Sequence, residues 1–345
     1  MNISLIIGII ILFLYLICYI IFHKDIKRAN KNFLYISFFV LFIVLAIRKP
    51  YSDMNNYIEY FHYLNESTYS QFLRFDLEFL YKVLNILIGK ICIDDRLFIY
   101  ILSFLTLIGP MYIIKKYSKN YLISILLYIS IGSFYMNFFI IRQALAISLL
   151  MFSVKYIEEK KLMKFIFLVF IASLFHNTAL IFLPLYVLSK MKIDNKNLIV
   201  CLLFLMIIIL LKDVITTFLM NFSSDYTSYV NSEFDVKNTG INRLIMFSIM
   251  IIFCRLFYKN YKDDKIINLL LCTSFFMICM QINATSSALF ARVANYFTFS
   301  LYILVPNVIY NLKKRHTKMI MKLVIIVLFF LYVILWNPIE GYLIN

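Results

Sequence analysis

The sequence predicts an all-α integral membrane protein, and three observations carry that reading. Of its 345 residues 63% are hydrophobic and 15% are charged, with a mean hydropathy of +0.86. Globular domains carry about 45–50% apolar and about 25% charged residues. The apolar residues come in long runs, and the lysines cluster between them. A helix needs about 20 apolar residues to cross a hydrocarbon core of about 30 Å. Residues 1–345 therefore read as a single polytopic membrane domain with no separate soluble unit.

The first run, Asn2 to Phe22, lacks a basic leader and a small-residue cleavage site, so it reads as an uncleaved span. Further spans follow at about 33–47, 97–114, 121–138, 198–220, 241–258, 266–282, 293–310 and 319–336. The stretches 78–91, 142–157 and 163–188 are shorter or interrupted, and charge decides their placement. Lysine clusters mark cytoplasmic loops. They lie around Lys24 to Lys31, Lys115 to Lys119, Lys155 to Lys164, Lys190 to Lys196, Lys259 to Lys265 and Lys313 to Lys318. For all six to share one side, 142–157 must return to the cytoplasm and 163–188 must go out and come back, turning near His176. This gives about 12 membrane helices, some short or re-entrant, with both termini outside. The stretch 78–91 stays outside as an interfacial or re-entrant helix. Two long outer loops result, at about 48–96 and 222–242.

The hairpin 163–188 has short arms. Thirteen residues reach only about 20 Å, so His176 is expected below the outer surface in a water-filled crevice walled by Phe175 to Thr178. The formal charge of +16 belongs to the loop lysines and not to a nucleic-acid surface. The six cysteines lie within or against apolar runs without metal-ligand spacing, which predicts free thiols. Asn65, Asn221 and Asn283 head N-x-S/T triplets, a pattern common by chance in so Asn-rich a chain.

The arginines break the lysine pattern. Of nine, six (Arg48, Arg74, Arg96, Arg142, Arg243 and Arg292) fall on the outer side of this topology. Lys and Arg orient membrane proteins equally well, so an outward excess of Arg needs another reason. The guanidinium fork grips phosphates and carboxylates with two parallel bonds. Arg48, Arg142, Arg243 and Arg292 recur at outer ends of different spans and are candidates to converge on one anionic group. Each also has a plain reading, as an interfacial anchor or half of a structural ion pair.

Around them lie groups suited to sugar chemistry. Asp53 follows Arg48 by five residues and is the first candidate for the base that takes a proton from a hydroxyl. Tyr57 offers an aromatic face for a sugar ring. Glu78, in Asp76-Leu-Glu78, is a further carboxylate, and the pair is a weak metal signal. Gln143 sits beside Arg142 near a helix start, where the dipole favours an anion. His176 is the second candidate base, with a packing role as the plain alternative. Tyr296 follows Arg292 and Asn295. No glycine-rich phosphate loop, nucleophile elbow, His-Glu-x-x-His or paired-cysteine motif occurs, so neither metal nor cofactor is expected.

The order Arg48, Asp53, Tyr57, Phe61, Glu78, Arg142-Gln-Ala, Glu158-Glu-Lys-Lys and Phe175-His-Asn-Thr-Ala-Leu-Ile-Phe-Leu-Pro184 resembles the EpsG family of Wzy-like polysaccharide polymerases, with Arg292 and Tyr296 matching its late arginine. The resemblance covers about residues 45–310. Tyr51-Ser-Asp53 stands where the family often has Gly-Thr-Asp, and Phe79 where a Pro often follows its Glu. The resemblance implies a fold related to GT-C glycosyltransferases in a bacterial plasma membrane. It also implies transfer of a growing exopolysaccharide, capsule or O-antigen-type glycan from undecaprenyl diphosphate to a hydroxyl of the next lipid-linked repeat unit. A flippase and a chain-length regulator of the same pathway are the implied partners. A transporter of the lipid-linked oligosaccharide is the alternative, as is a ligase or acyltransferase using a lipid-linked donor.

Overall fold

The computed structural model describes residues 3–49, 53–190, 240–257, 264–284 and 288–335, with isolated positions between 207 and 217. The expected span 198–220 lies almost wholly outside the described residues. So do the outer loop 222–242 up to its last residues, and Lys192, Lys196, Lys259, Lys262, Cys201 and Asn221. The regular secondary structure among the described residues is helical throughout.

Helices α1 (Ile3–Ile21) and α2 (Ile26–Ala46) form an antiparallel pair joined by a short turn. Asp25 caps α2 by accepting from Arg28 N. Similar Asx caps start three later helices: Asp94 for α6 (Asp95–Tyr117), Asn120 for α7 (Tyr121–Ser130) and Asp264 for α13 (Lys265–Asn283).

Between α2 and α6 the chain does not loop. It folds into α3 (Asp53–Glu66), α4 (Tyr69–Arg74) and α5 (Phe79–Ile91). These carry a core of their own, in which Phe61 stacks on Phe98 at 4.4 Å and Tyr57 meets Tyr81 edge-on at 6.0 Å. Asn65 ties α3 to α5 by donating to Asn85 O at 3.3 Å. Buried Lys82 donates to Phe72 O and Phe75 O, which closes the end of α4.

Helices α6 and α9 (Ile141–Glu158) pack at backbone distance. A Cβ at Gly109 would lie 2.1 Å from Ser148 O, so only glycine permits the approach. The Ser148 hydroxyl donates to Leu105 O and accepts from Gly109 N, bracing the turn before Pro110. The expected span 121–138 is interrupted. It consists of α7, a turn at Gly132 with φ +89°, and the short α8 (Met136–Phe139).

The stretch 163–188 is a hairpin. Helix α10 (Leu162–Ser173) is followed by a 3₁₀ segment (Asn177–Phe182) and α11 (Pro184–Leu188). The Phe165 ring lies 6.2 Å from Phe182 and 5.5 Å from Tyr186. A straight helix would put residues 165 and 186 about 30 Å apart, so the chain reverses around His176.

Helices α12 (Ile241–Leu256), α13, α14 (Ala288–Asn295), α15 (Phe299–Asn311) and α16 (Arg315–Leu335) complete the described fold. Among the described residues five helices are long and apolar enough to cross a membrane: α1, α2, α6, α13 and α16. A sixth span results if α14 and α15, bent by 48°, count as one. The protein is thus membrane-embedded. Other expected crossings fall on shorter elements such as α7, α10 and the 177–188 arm.

Candidate active site

Glu78 is the centre of the arrangement. It is the residue before α5 begins and is buried, with only 8% exposure. One carboxylate oxygen accepts from Arg142 at 2.6 Å, and the other meets His176 Nδ1 at 2.8 Å. These partners lie 64 and 98 positions away along the chain. The fold brings them together through three devices. Helix α5 starts just after Glu78, α9 starts just before Arg142, and the α10 hairpin reverses at His176. The Leu80 amide donates to Leu174 O at 2.8 Å, which fastens the start of α5 to the hairpin tip.

Burial alone would raise the Glu78 carboxyl. The His176 hydrogen bond and the Arg142 charge overcome that effect and hold it at about 2. Glu78 is therefore an anion at neutral pH. Facing that carboxylate, Nδ1 is the donating nitrogen of the imidazole in this pair.

Tyr57 of α3 is buried beside this cluster. Burial raises its hydroxyl, against which the Arg142 charge and a hydrogen bond from Arg142 act; Asp53 and Arg292 also act on it. Asp53, at the start of α3, is half-buried. Gln143 donates to Arg292 O at 2.7 Å, linking α9 to α14. Asn295, one turn on from Arg292, accepts from Arg243 at 2.8 Å, and Arg243 also donates to Ile131 O. Gly132 passes against that guanidinium, and its positive φ is a conformation that glycine adopts without strain. Tyr296 OH shares a hydrogen bond with Thr178 of the hairpin at 2.8 Å. Asp53, Tyr57, Glu78, Arg142, Gln143, His176, Arg292, Tyr296 and Arg243 thus belong to one connected region at the meeting of α3, α5, α9, α12, α14 and the hairpin.

Arg48 has a different place. It is 3% exposed, donates to Asn137 O, and lies over the Phe138 ring at 5.5 Å. Arg96 in turn donates to Arg48 O at 3.1 Å. Its guanidinium braces the interruption after α7. Asp76 and Glu78 diverge, Asp76 being exposed while Glu78 is buried. No group of three metal-ligating side chains occurs among the described residues. At His176, where an outward-open crevice was expected, the described residues leave 6% of the residue exposed, with the imidazole packed against Glu78.

Tyr81 is a residue that the sequence reading missed. It is fully buried, lies one turn along α5 from Glu78, and feels the charges of both Arg142 and Glu78. Its i+3 spacing from Glu78 was the available signal.

Comparison with curated proteins and with solved structures returns no match. The EpsG family model matches residues 31–341, nearly the whole chain, and with Glu78, Arg142 and His176 joined inside that span, the protein belongs to the EpsG family.

Proposed function

We propose that the protein is a polysaccharide polymerase that transfers a glycan from a lipid diphosphate to a sugar hydroxyl of the next lipid-linked repeat unit. Membership of the EpsG family supports a polysaccharide polymerase-like membrane protein. The observation that carries the mechanism is the Glu78 carboxylate held between Arg142 at 2.6 Å and His176 at 2.8 Å.

In this reading the acceptor hydroxyl gives its proton to His176 Nε2 as its oxygen attacks the anomeric carbon. Glu78 fixes the tautomer and stabilises the imidazolium that forms, as the carboxylate of a hydrolytic triad does. A carboxyl with a pKa of about 2 is itself a poor proton acceptor at neutral pH, so Glu78 orients rather than abstracts. The bond from the anomeric carbon to the diphosphate breaks, and Arg142 and Arg292 neutralise the departing charge. Asp53 and Tyr57 orient the acceptor sugar. Asp53 as the base is the second assignment, favoured by its partial exposure beside Tyr57.

We read the site as outward-facing in a bacterial plasma membrane, in a GT-C-related arrangement of about 12 segments with both termini outside. One feature supports a common side for the lysine loops: Lys160, Lys190 and Lys265 line a single cavity between the ends of α9, α11 and α13.

The test is reconstitution of the purified protein in vesicles with lipid-linked repeat units. Wild type should build a ladder of glycan lengths, and His176→Gln should bind substrate without elongating it. Translocation of single units without any elongation would make the protein a transporter instead.

A further inference from the structure

At the end of the membrane domain away from Glu78 lies a cavity of about 510 Å³ that the proposed chemistry does not use. Helices α2 and α6 set the separation. Each has a site-side arginine at one end, Arg48 or Arg96, and cavity lysines at the other, and 21 residues of helix span about 30 Å. Lys27 and Lys31 enter the cavity from α2, Lys115 from α6, Lys119 from the α6–α7 turn and Lys322 from α16. No Asp or Glu lines it among the described residues. The neighbouring lysine cavity at Lys160 differs, because Glu158 lines it too.

Five ammonium groups around one cavity repel one another unless an anion joins them. A topology signal requires lysines on one side of the membrane, but does not require four separate elements to line one space with them; of the five, Lys115 also donates to Tyr35 OH at 2.6 Å. The walls are also braced. Tyr19 OH donates to Asn30 at 2.8 Å, holding α1 to α2. Lys119 N donates to Asn307, whose amide donates to Tyr117 O, holding the α6–α7 turn to α15. Two of the walls, α1 and α16, present apolar surface on their outer sides, including Phe13, Leu16, Leu323 and Val327.

We infer that this cavity binds a multiply charged phosphate headgroup of a membrane lipid. The ammonium groups and the Asn120-capped start of α7 meet the phosphates, while the acyl chains lie along α1 and α16. The inference is independent of the polymerase reading, since it concerns other residues at the other end of the molecule.

The experiment measures lipid retention by native mass spectrometry on the full chain purified from vesicles. The vesicles contain a two-phosphate, four-chain lipid, a one-phosphate lipid and a zwitterionic lipid. The two-phosphate lipid should be retained preferentially. The quadruple variant Lys27→Gln, Lys31→Gln, Lys115→Gln and Lys119→Gln should reduce that retention at least tenfold. The triple variant Lys160→Gln, Lys190→Gln and Lys265→Gln should keep it, and replacing the same four lysines by Arg should restore it. Equal losses in the quadruple and triple variants would reduce the effect to general charge and overturn the site. So would absence of any preference for the two-phosphate lipid. A parallel arm adds inorganic diphosphate: if it binds more tightly than the lipid and depends on the same four lysines, the lipid assignment is overturned and the ligand is a soluble anion.

Discussion

The two ends of this membrane domain use positive charge in opposite ways. At one end Arg48, Arg142 and Arg243 have fixed bonds to Asn137 O, Glu78, Ile131 O and Asn295, and Arg48 is nearly inaccessible. At the other, Lys27, Lys31, Lys115 and Lys119 are exposed and line a cavity without a carboxylate among the described residues, Lys115 also donating to Tyr35 OH. The difference follows from the side chains. A guanidinium is a rigid, weakly hydrated fork that keeps its charge when buried, whereas an ammonium is a strongly hydrated point charge on a flexible stem. Arginine here defines geometry, and lysine supplies field. Conservative exchange should therefore be costly at one end and tolerated at the other.

The largest effect is expected at Arg142. Arg142→Lys keeps the charge but loses the fork that joins Glu78 and Tyr57, and transfer should fall by 10²-fold or more, on the order of an oxyanion-hole donor. Arg142→Ala leaves Glu78 short of a partner in a buried site. Removing one member of a buried ion pair costs about 3–5 kcal/mol, so thermal unfolding in detergent should also shift downward. An Arg142→Lys enzyme with wild-type turnover would erase the contrast between the two ends.

Acid sensitivity sharpens the same contrast. Glu78 has its folded pKa lowered to about 2 from an ordinary 4.5. Its contribution to stability is therefore complete above pH 4.5 and is lost as pH falls toward 2. By linkage the amount is about 3 kcal/mol. Chemical denaturation of wild type and Glu78→Gln across pH 5 to 2 should show a steep limb in wild type that the variant lacks. Parallel curves would mean that Glu78 is not held as an anion by its neighbours.

The smallest effect is expected from the lysines around the second cavity. Replacing Lys160, Lys190 and Lys265 together by Arg should leave the rate of transfer within about twofold, since surface charges tolerate such exchange. A tenfold loss in the reconstituted assay would show that lysine at that end also sets geometry.

Much of this was legible in the sequence because the membrane imposes simple rules. Hydrophobic length marked α1, α2, α6, α13 and α16, and lysine placement implied the reversal of 163–188 that the rings of Phe165 and Tyr186 show. Glu78, Arg142 and His176 were each visible as polar residues at the ends of apolar stretches. Their joining was not, because it depends on how deep the hairpin tip sits and where α5 starts. The stretch 48–96 was read mainly as a loop, since its Tyr, Asn and acidic residues hide a helical core made of Phe61, Tyr81 and Phe98. Arg48 looked like a phosphate ligand from the membrane edge. Its bond to Asn137 O follows from the break at Ile140 between α8 and α9, which leaves that carbonyl outside a continuous helical ladder, a feature that periodicity cannot reveal.

If Glu78 and His176 act as one unit, a double-mutant cycle on the transfer rate will show it. Rates would be measured with purified lipid-linked repeat for wild type, Glu78→Gln, His176→Gln and the double variant, with substrate binding followed separately. Each single variant should bind substrate and lose about 10²–10⁴-fold in rate, the range for a general base. The double variant should be no slower than His176→Gln alone, because groups acting as a unit do not lose activity additively. Losses that multiply in the double variant, or a Glu78→Gln enzyme at full rate, would contradict such a unit.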